Sequence, residues 1–272
     1  MYSNNYILEL EEEKDITSME YCCEYLKDEY MADSCYALVK YGKKEHLEDL
    51  KNGRIFFNAI KKYRNDGTEY RGDSMEGRIP IDPSTIAIYD KDGKNIFDYL
   101  PRPDTVTQTL YNDENFLMFC ASAITKEIME EKEKNHWRLS EEYKKEMKQF
   151  GDYALIFESG EFLEKIIMEK KIHIPRFGYD AGIVKYHDLS DFSNMSVYRT
   201  MGNITDRYFV KGSKYKLQNE WRMVIGGEYE PLELNCFDGY FINSTPFQYA
   251  ALMRTDEFME KLELVEREEQ NL

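Results

Sequence analysis

The segment Gln218-Asn219-Glu220-Trp221-Arg222-Met223-Val224-Ile225-Gly226-Gly227 reads as a buried strand that carries two opposite charges. Side chains alternate along a strand, so Trp221, Met223 and Ile225 share one face and Glu220, Arg222 and Val224 share the other. The first face has the composition of a core. The second is unusual, because charges seldom occupy a central strand unless each meets a partner or a ligand. Two readings follow: a structural ion pair, or a carboxylate and a guanidinium held rigidly against a pocket.

At 272 residues the chain is long enough for one large domain or two small ones, and 42% hydrophobic with 32% charged residues is a globular balance. The net charge of −16 argues against general nucleic-acid binding and against an anionic membrane surface, both of which need clustered Lys and Arg. Five cysteines (Cys22, Cys23, Cys35, Cys120, Cys236) form an odd set without a Cys-x-x-Cys pair, and early acids with no apolar run suited to a signal peptide lead to the expectation that there is none. No stretch approaches the roughly 18 apolar residues of a membrane span. The expectation is a soluble, cytoplasmic protein.

The pattern along the chain predicts a single domain, 1–272, with an acidic N-terminal helical segment over 1–33. A strand over Ser34–Tyr41 precedes a short helix over Lys43–Lys51 that stops at Asn52-Gly53, and Arg54–Ile60 returns as a strand. Thr85–Tyr99 reads as a hairpin turning at Asp90-Lys91-Asp92-Gly93, and Phe116–Ala123 as a buried strand. Charge density predicts a helical surface lobe over 124–150. Strand Tyr153–Phe157, helix Glu161–Lys171, strand Ile183–Tyr186 and an aromatic loop over Asp188–Asp206 follow. Strands at Trp221–Ile225, Leu232–Cys236 and Gly239–Ile242 and a helix over Asp256–Arg267 close the chain. Hairpins interleaved with helices favour an α+β fold with a split, mixed β-sheet and flanking helices.

Few chemical motifs survive. The histidines (His46, His136, His173, His187) lack zinc spacing, so no metal site is expected. A second cluster joins Phe56-Phe57-Asn58 and Arg64 to Arg71-Gly72-Asp73-Ser74-Met75-Glu76-Gly77. It is either a polar loop capped by Asp73, or a loop that packs Asp73 or Glu76 over a pocket.

These residues carry a resemblance. Leu50-Lys51-Asn52-Gly53, Phe56-Phe57-Asn58, Gly72-Asp73-x-x-Glu76-Gly77 and Asn219-Glu220-Trp221-Arg222 resemble a widespread bacterial and phage family defined only as a domain of unknown function. The likeness spans roughly residues 36–226. A further likeness, through Gln218-Asn219-Glu220 at a strand start and Lys40 or Tyr41 on an early strand, is to mono-ADP-ribosyltransferases. That resemblance implies an NAD or nucleotide ligand, a protein or nucleotide substrate, and a role in toxin action or bacterium–phage conflict. Under it, Glu220 stabilises an oxocarbenium-like ribose, Gln218 orients the acceptor and Arg222 keeps Glu220 ionised. Lys40, Tyr41, Tyr153, Asp73 and Glu76 then face the cofactor. The rival is a non-catalytic acidic interaction module that binds a host or phage protein, with Glu220–Arg222 as structural glue. An open, tyrosine-lined cleft at Glu220 favours the first; a closed pair under Trp137 or Phe192 favours the second.

Overall fold

The computed structural model describes residues 35, 37–104, 106–189, 204–227, 231–236 and 239–265. The expected N-terminal helical segment 1–33 lies outside them, as do residues 190–203 of the aromatic loop.

In chain order, strand β1 (Ala37–Gly42), helix α1 (Lys44–Lys51), β2 (Arg54–Ala59) and α2 (Ile60–Asn65) form the first unit. Helix α1 buries Leu47 and Leu50 and ends at Gly53, whose φ of 86° and contact with the Ser244 carbonyl leave no room for a Cβ. A long excursion carries β3 (Ile79–Ile81) and β4 (Val106–Gln108) before β5 (Phe116–Ile124). Then come β6 (Met129–Glu133), β7 (His136–Leu139), α3 (Glu141–Met147), β8 (Tyr153–Phe157) and α4 (Ser159–His173). Strands β9 (Gly178–Ile183), β10 (Lys185–His187), β11 (Val210–Gly212) and β12 (Glu220–Gly226) build the candidate site. Strands β13 (Gly239–Asn243) and β14 (Ala250–Arg254), helix α5 (Thr255–Lys261) and β15 (Glu263–Val265) complete the described chain.

Eight strands make one sheet around β5, whose apolar run is buried on both faces and so does not alternate. One edge of β5 pairs with β12 from Ser122 to Phe116. The other edge is shared: β1 pairs at Ile124–Ser122 and β2 at Met118–Leu117. The sheet therefore divides along this edge. In the gap Lys40 Nζ donates to the Cys120 carbonyl and the Tyr63 hydroxyl to that of Met118, so side chains replace the missing strand. Every pairing in this sheet is antiparallel, which corrects the expected mixed sheet; the parallel pair is the small β10–β11 ladder.

The two faces of β12 divide as its alternation requires. Trp221, Met223 and Ile225 join Leu38, Phe119, Leu155 and Phe157 in the main core, closed by Phe162, Leu163 and Ile166 of α4. On the other face two smaller apolar clusters lie apart, one around Val39, Tyr41 and Tyr143, the other around Met118, Tyr208 and Val224.

The expected helical lobe 124–150 is a correction. It is a β6–β7 hairpin, turned at Asn135 with φ of 65°, followed by the short helix α3. Ile128, Met129, Leu139, Tyr143 and Met147 are buried there. Between the hairpin's buried ends Glu131, Lys132, Glu133, Lys134 and Arg138 are exposed, and that run of charge imitated a solvated helix. The closing helix is also shorter than expected: α5 stops at Lys261, and Leu264 pairs with Trp137 in a β15–β7 ladder. Residues 231–235 form no strand, and the Thr85–Tyr99 hairpin reduces to a Tyr89–Asn95 bridge around a turn tied by Asp90.

Candidate functional site

Strand β12 is preceded by Asn219, held at φ of 41° by side-chain bonds to the Ala123 carbonyl and Thr125 (both 2.8 Å). That turn sets the register in which Glu220 opposes Ser122 and Arg222 opposes Cys120. Both charged side chains consequently point to the face between the two smaller apolar clusters. Arg222 is fully buried and Glu220 is 8% exposed.

All five Arg222 donors are used. Nε donates to Glu220 Oε1 at 2.9 Å, and Nη1 and Nη2 reach the two Glu76 oxygens at 2.6 and 2.7 Å. Nη1 also donates to the Tyr208 carbonyl, and Nη2 to Glu220 Oε2 at 3.3 Å. Lys211 Nζ donates to Glu220 Oε2 at 2.8 Å and to Gln218 Oε1 at 3.0 Å, and Gln218 Nε2 donates to the Tyr70 carbonyl at 2.8 Å. Two carboxylates thus face two cations, a charge balance that a buried cluster requires.

The electrostatics of the two acids differ. Burial raises the Glu220 carboxyl, but Arg222 and Lys211 outweigh it and hold the group well below the usual carboxylate range. Burial also raises Glu76, and there Arg222 and Lys211 do not fully compensate, so its carboxyl stays above the ordinary value. Arg222 is pushed up despite burial, because both acids surround it.

The structure brings Gln218, Glu220, Arg222 and Glu76 into one cluster. Asp73 stays outside it: its carboxylate accepts the Met75 amide at 2.9 Å, and its carbonyl accepts the Glu76 amide, so it shapes the loop that delivers Glu76. Lys40 shares the Leu38 face, its ammonium is taken by the Cys120 carbonyl, and burial lowers its pKa. Tyr41 joins through a hydroxyl chain, to Tyr143 at 3.1 Å, thence to Ser122 at 2.8 Å and from Ser122 to the Gln218 carbonyl at 2.7 Å. Burial pushes Tyr143 up to about 12, so its hydroxyl stays neutral and serves only as a hydrogen-bonding link. Tyr153 lies under the Arg254 guanidinium, 5.9 Å away, and has no contact with the cluster.

Sequence reasoning missed Lys211, Tyr186 and Tyr208. Lys211 arrives on the three-residue β11, which pairs with β10 and so places Tyr186 beside it, where the Tyr186 hydroxyl accepts the Glu220 amide at 2.8 Å. A lone Lys between Val210 and Gly212 carries no periodic signal. The cover over the pair is therefore Glu76, Lys211, Tyr186 and Tyr208. Trp137 packs elsewhere, against β15 and under Lys126, and Phe192 lies outside the described residues. An open pocket of about 350 Å³, lined by Ala37, Ile156, Glu158 and Tyr249 among others, contains none of the candidate residues. No helix among the described residues is long and apolar enough to cross a membrane.

Comparison of the chain with protein-family models, with curated proteins and with solved structures finds no match in any of the three.

Proposed function

We propose that this chain is a non-catalytic interaction module that binds a protein partner, with Glu76–Arg222–Glu220–Lys211 as its structural glue. The observation that carries this reading is saturation. Both Glu220 oxygens and both ends of the Gln218 amide are engaged within the protein, as is every Arg222 donor. A transferase carboxylate must keep an oxygen for the ribose cation, and an acceptor-orienting amide must keep a free end.

A second observation favours binding. The excursion between α2 and β5 exposes Ile88, Tyr89, Tyr99, Leu100 and Tyr111, a concentration of large apolar groups that marks interaction surfaces. The stretch from Ile88 to Tyr99 is tied down, with the Tyr99 hydroxyl donating to Asp90 at 3.0 Å and the Ile96 amide to the Ile88 carbonyl at 2.8 Å. A preorganised apolar surface loses little entropy on docking.

The test is incubation with labelled NAD in a bacterial lysate, using wild type and Glu220→Gln. No hydrolysis and no label transfer by wild type is the expected result. Turnover that Glu220→Gln reduces by about two orders of magnitude, the loss of one strong electrostatic stabiliser, overturns the reading in favour of the transferase. In parallel, a partner captured by wild type should be lost with Tyr89→Ser and Leu100→Ser at unchanged melting temperature.

A further inference from the structure

A group of cations stands apart from the balanced cluster. Arg64 lies at the Gly77–Tyr208 contact, where a Cβ on Gly77 would lie 2.6 Å from the Tyr208 ring and 3.3 Å from Arg64 Nη2, and Arg78 and Arg207 are the chain neighbours of Gly77 and Tyr208. Gly77 has φ of 64°, so this close approach and the backbone turn into Arg78 both require glycine. Arg64 is anchored: its Nε donates to the Glu76 carbonyl at 2.6 Å and its Nη2 meets the Asp113 carboxylate. Asp113 also accepts the Tyr208 hydroxyl, which closes the corner on one side.

The other two arginines are not answered. Arg78 Nε and Arg207 Nε and Nη1 are buried with no hydrogen-bond partner among the described residues. Guanidinium donors without acceptors are rare in folded proteins and costly, and three in one neighbourhood call for a missing acceptor. Asp113 offsets one charge of the three. Burial lowers the Arg64 guanidinium, and repulsion from Arg78 and Arg207 lowers it further, so both lie close enough for Arg64 to feel them. All three arginines are part-exposed as residues.

We propose that Arg64, Arg78 and Arg207 form a binding site for a phosphate group, either inorganic phosphate or the terminal phosphate of a nucleotide. Planar guanidinium forks match the tetrahedral oxygens of phosphate better than a point cation does, and phosphate supplies several acceptors at once. The site is separate from Glu220, and it goes beyond the interaction reading without depending on it. Binding involves no bond making or breaking.

The experiment is calorimetry and thermal melting of the full chain at low ionic strength, with inorganic phosphate, ADP and acetate as probes. Phosphate should release heat and raise the melting temperature, while acetate at equal ionic strength does neither. ADP binding more tightly than phosphate identifies a nucleotide as the source; phosphate binding alone identifies the free anion. Arg78→Gln and Arg207→Gln should each weaken binding about tenfold or more, with Arg207→Lys intermediate because charge survives and the fork does not. No heat from either phosphate source, or acetate matching phosphate, overturns the proposal. So does full binding in the Arg78→Gln, Arg207→Gln double variant. The wild-type melting shift reads the same answer should a variant fail to fold.

Discussion

The face of β12 that carries charge has two contrasting ends. At the Glu220 end, two carboxylates and two cations are matched in a buried network. At the Val224 end, Asp180 stands opposite Val224 and accepts the Thr205 hydroxyl at 2.5 Å, and Arg207 lies two residues along the chain from Thr205 with nitrogens that meet no acceptor among the described residues. The pKa values record the difference. Glu220 is held down by its cations, whereas burial pushes Asp180 up to about 6, with Asp206 adding to the rise. Matched charge makes a rigid bracket; unmatched charge is what a ligand or a proton can still exploit.

The largest effect should come from breaking the matched end. Arg222→Ala leaves two buried carboxylates facing each other, and losing one partner of such a network typically costs about 3–5 kcal/mol. For a chain of this size that lowers the melting temperature by about 10 °C. Exposed Lys91→Ala is the control, and an equal shift in both variants contradicts the bracket.

Next is the unmatched acid. The folded pKa of Asp180 is raised, so its contribution to stability is full below the unfolded value and is lost as pH rises through about 6. Asp180→Asn removes that loss. It should gain up to about 3 kcal/mol relative to wild type between pH 4 and pH 7, read as urea midpoints at the two pH values. Glu220 has the opposite sign: its pKa is depressed, so its stabilisation is present above the ordinary carboxylate value and fades as pH falls below about 4. Glu220→Gln should flatten that acid limb.

A double-mutant cycle over Glu76 and Arg222 should give a coupling of about 2 kcal/mol. The exposed Lys44–Glu48 pair, 3.6 Å apart, should give almost none. Comparable couplings would mean that burial does not set the strength of the cluster. The smallest effect belongs to Arg78→Gln without added anion. It removes a repulsion along with a charge, so stability should change by less than about 1 kcal/mol, in either direction.

Much of the scaffold was legible in sequence. The alternation of Glu220–Ile225 assigned both faces of β12, and Leu47 and Leu50 with Asn52-Gly53 marked α1 and its end. The apolar run of β5 and the helical period of α4 were equally plain. The stretch 124–150 was not, because Glu and Lys favour helices while its buried positions follow a hairpin that only Asn135 betrays. The candidate site was half legible: Gln218, Glu220, Arg222 and Glu76 were named, while Lys211, Tyr186 and Tyr208 were not.

The sequence by itself determined which side chains share a face, because that follows from the local two-residue period of a strand and the steric rules for Gly. It also determined that Glu220 and Arg222 need partners, since isolated charge is not stable in a core. Who those partners are was decided by tertiary structure. Glu76 reaches Arg222 across 146 positions of chain, brought there by the Asp73 loop, and Lys211 reaches Glu220 through the β10–β11 ladder. Such pairings depend on distances between elements, and no local period encodes them.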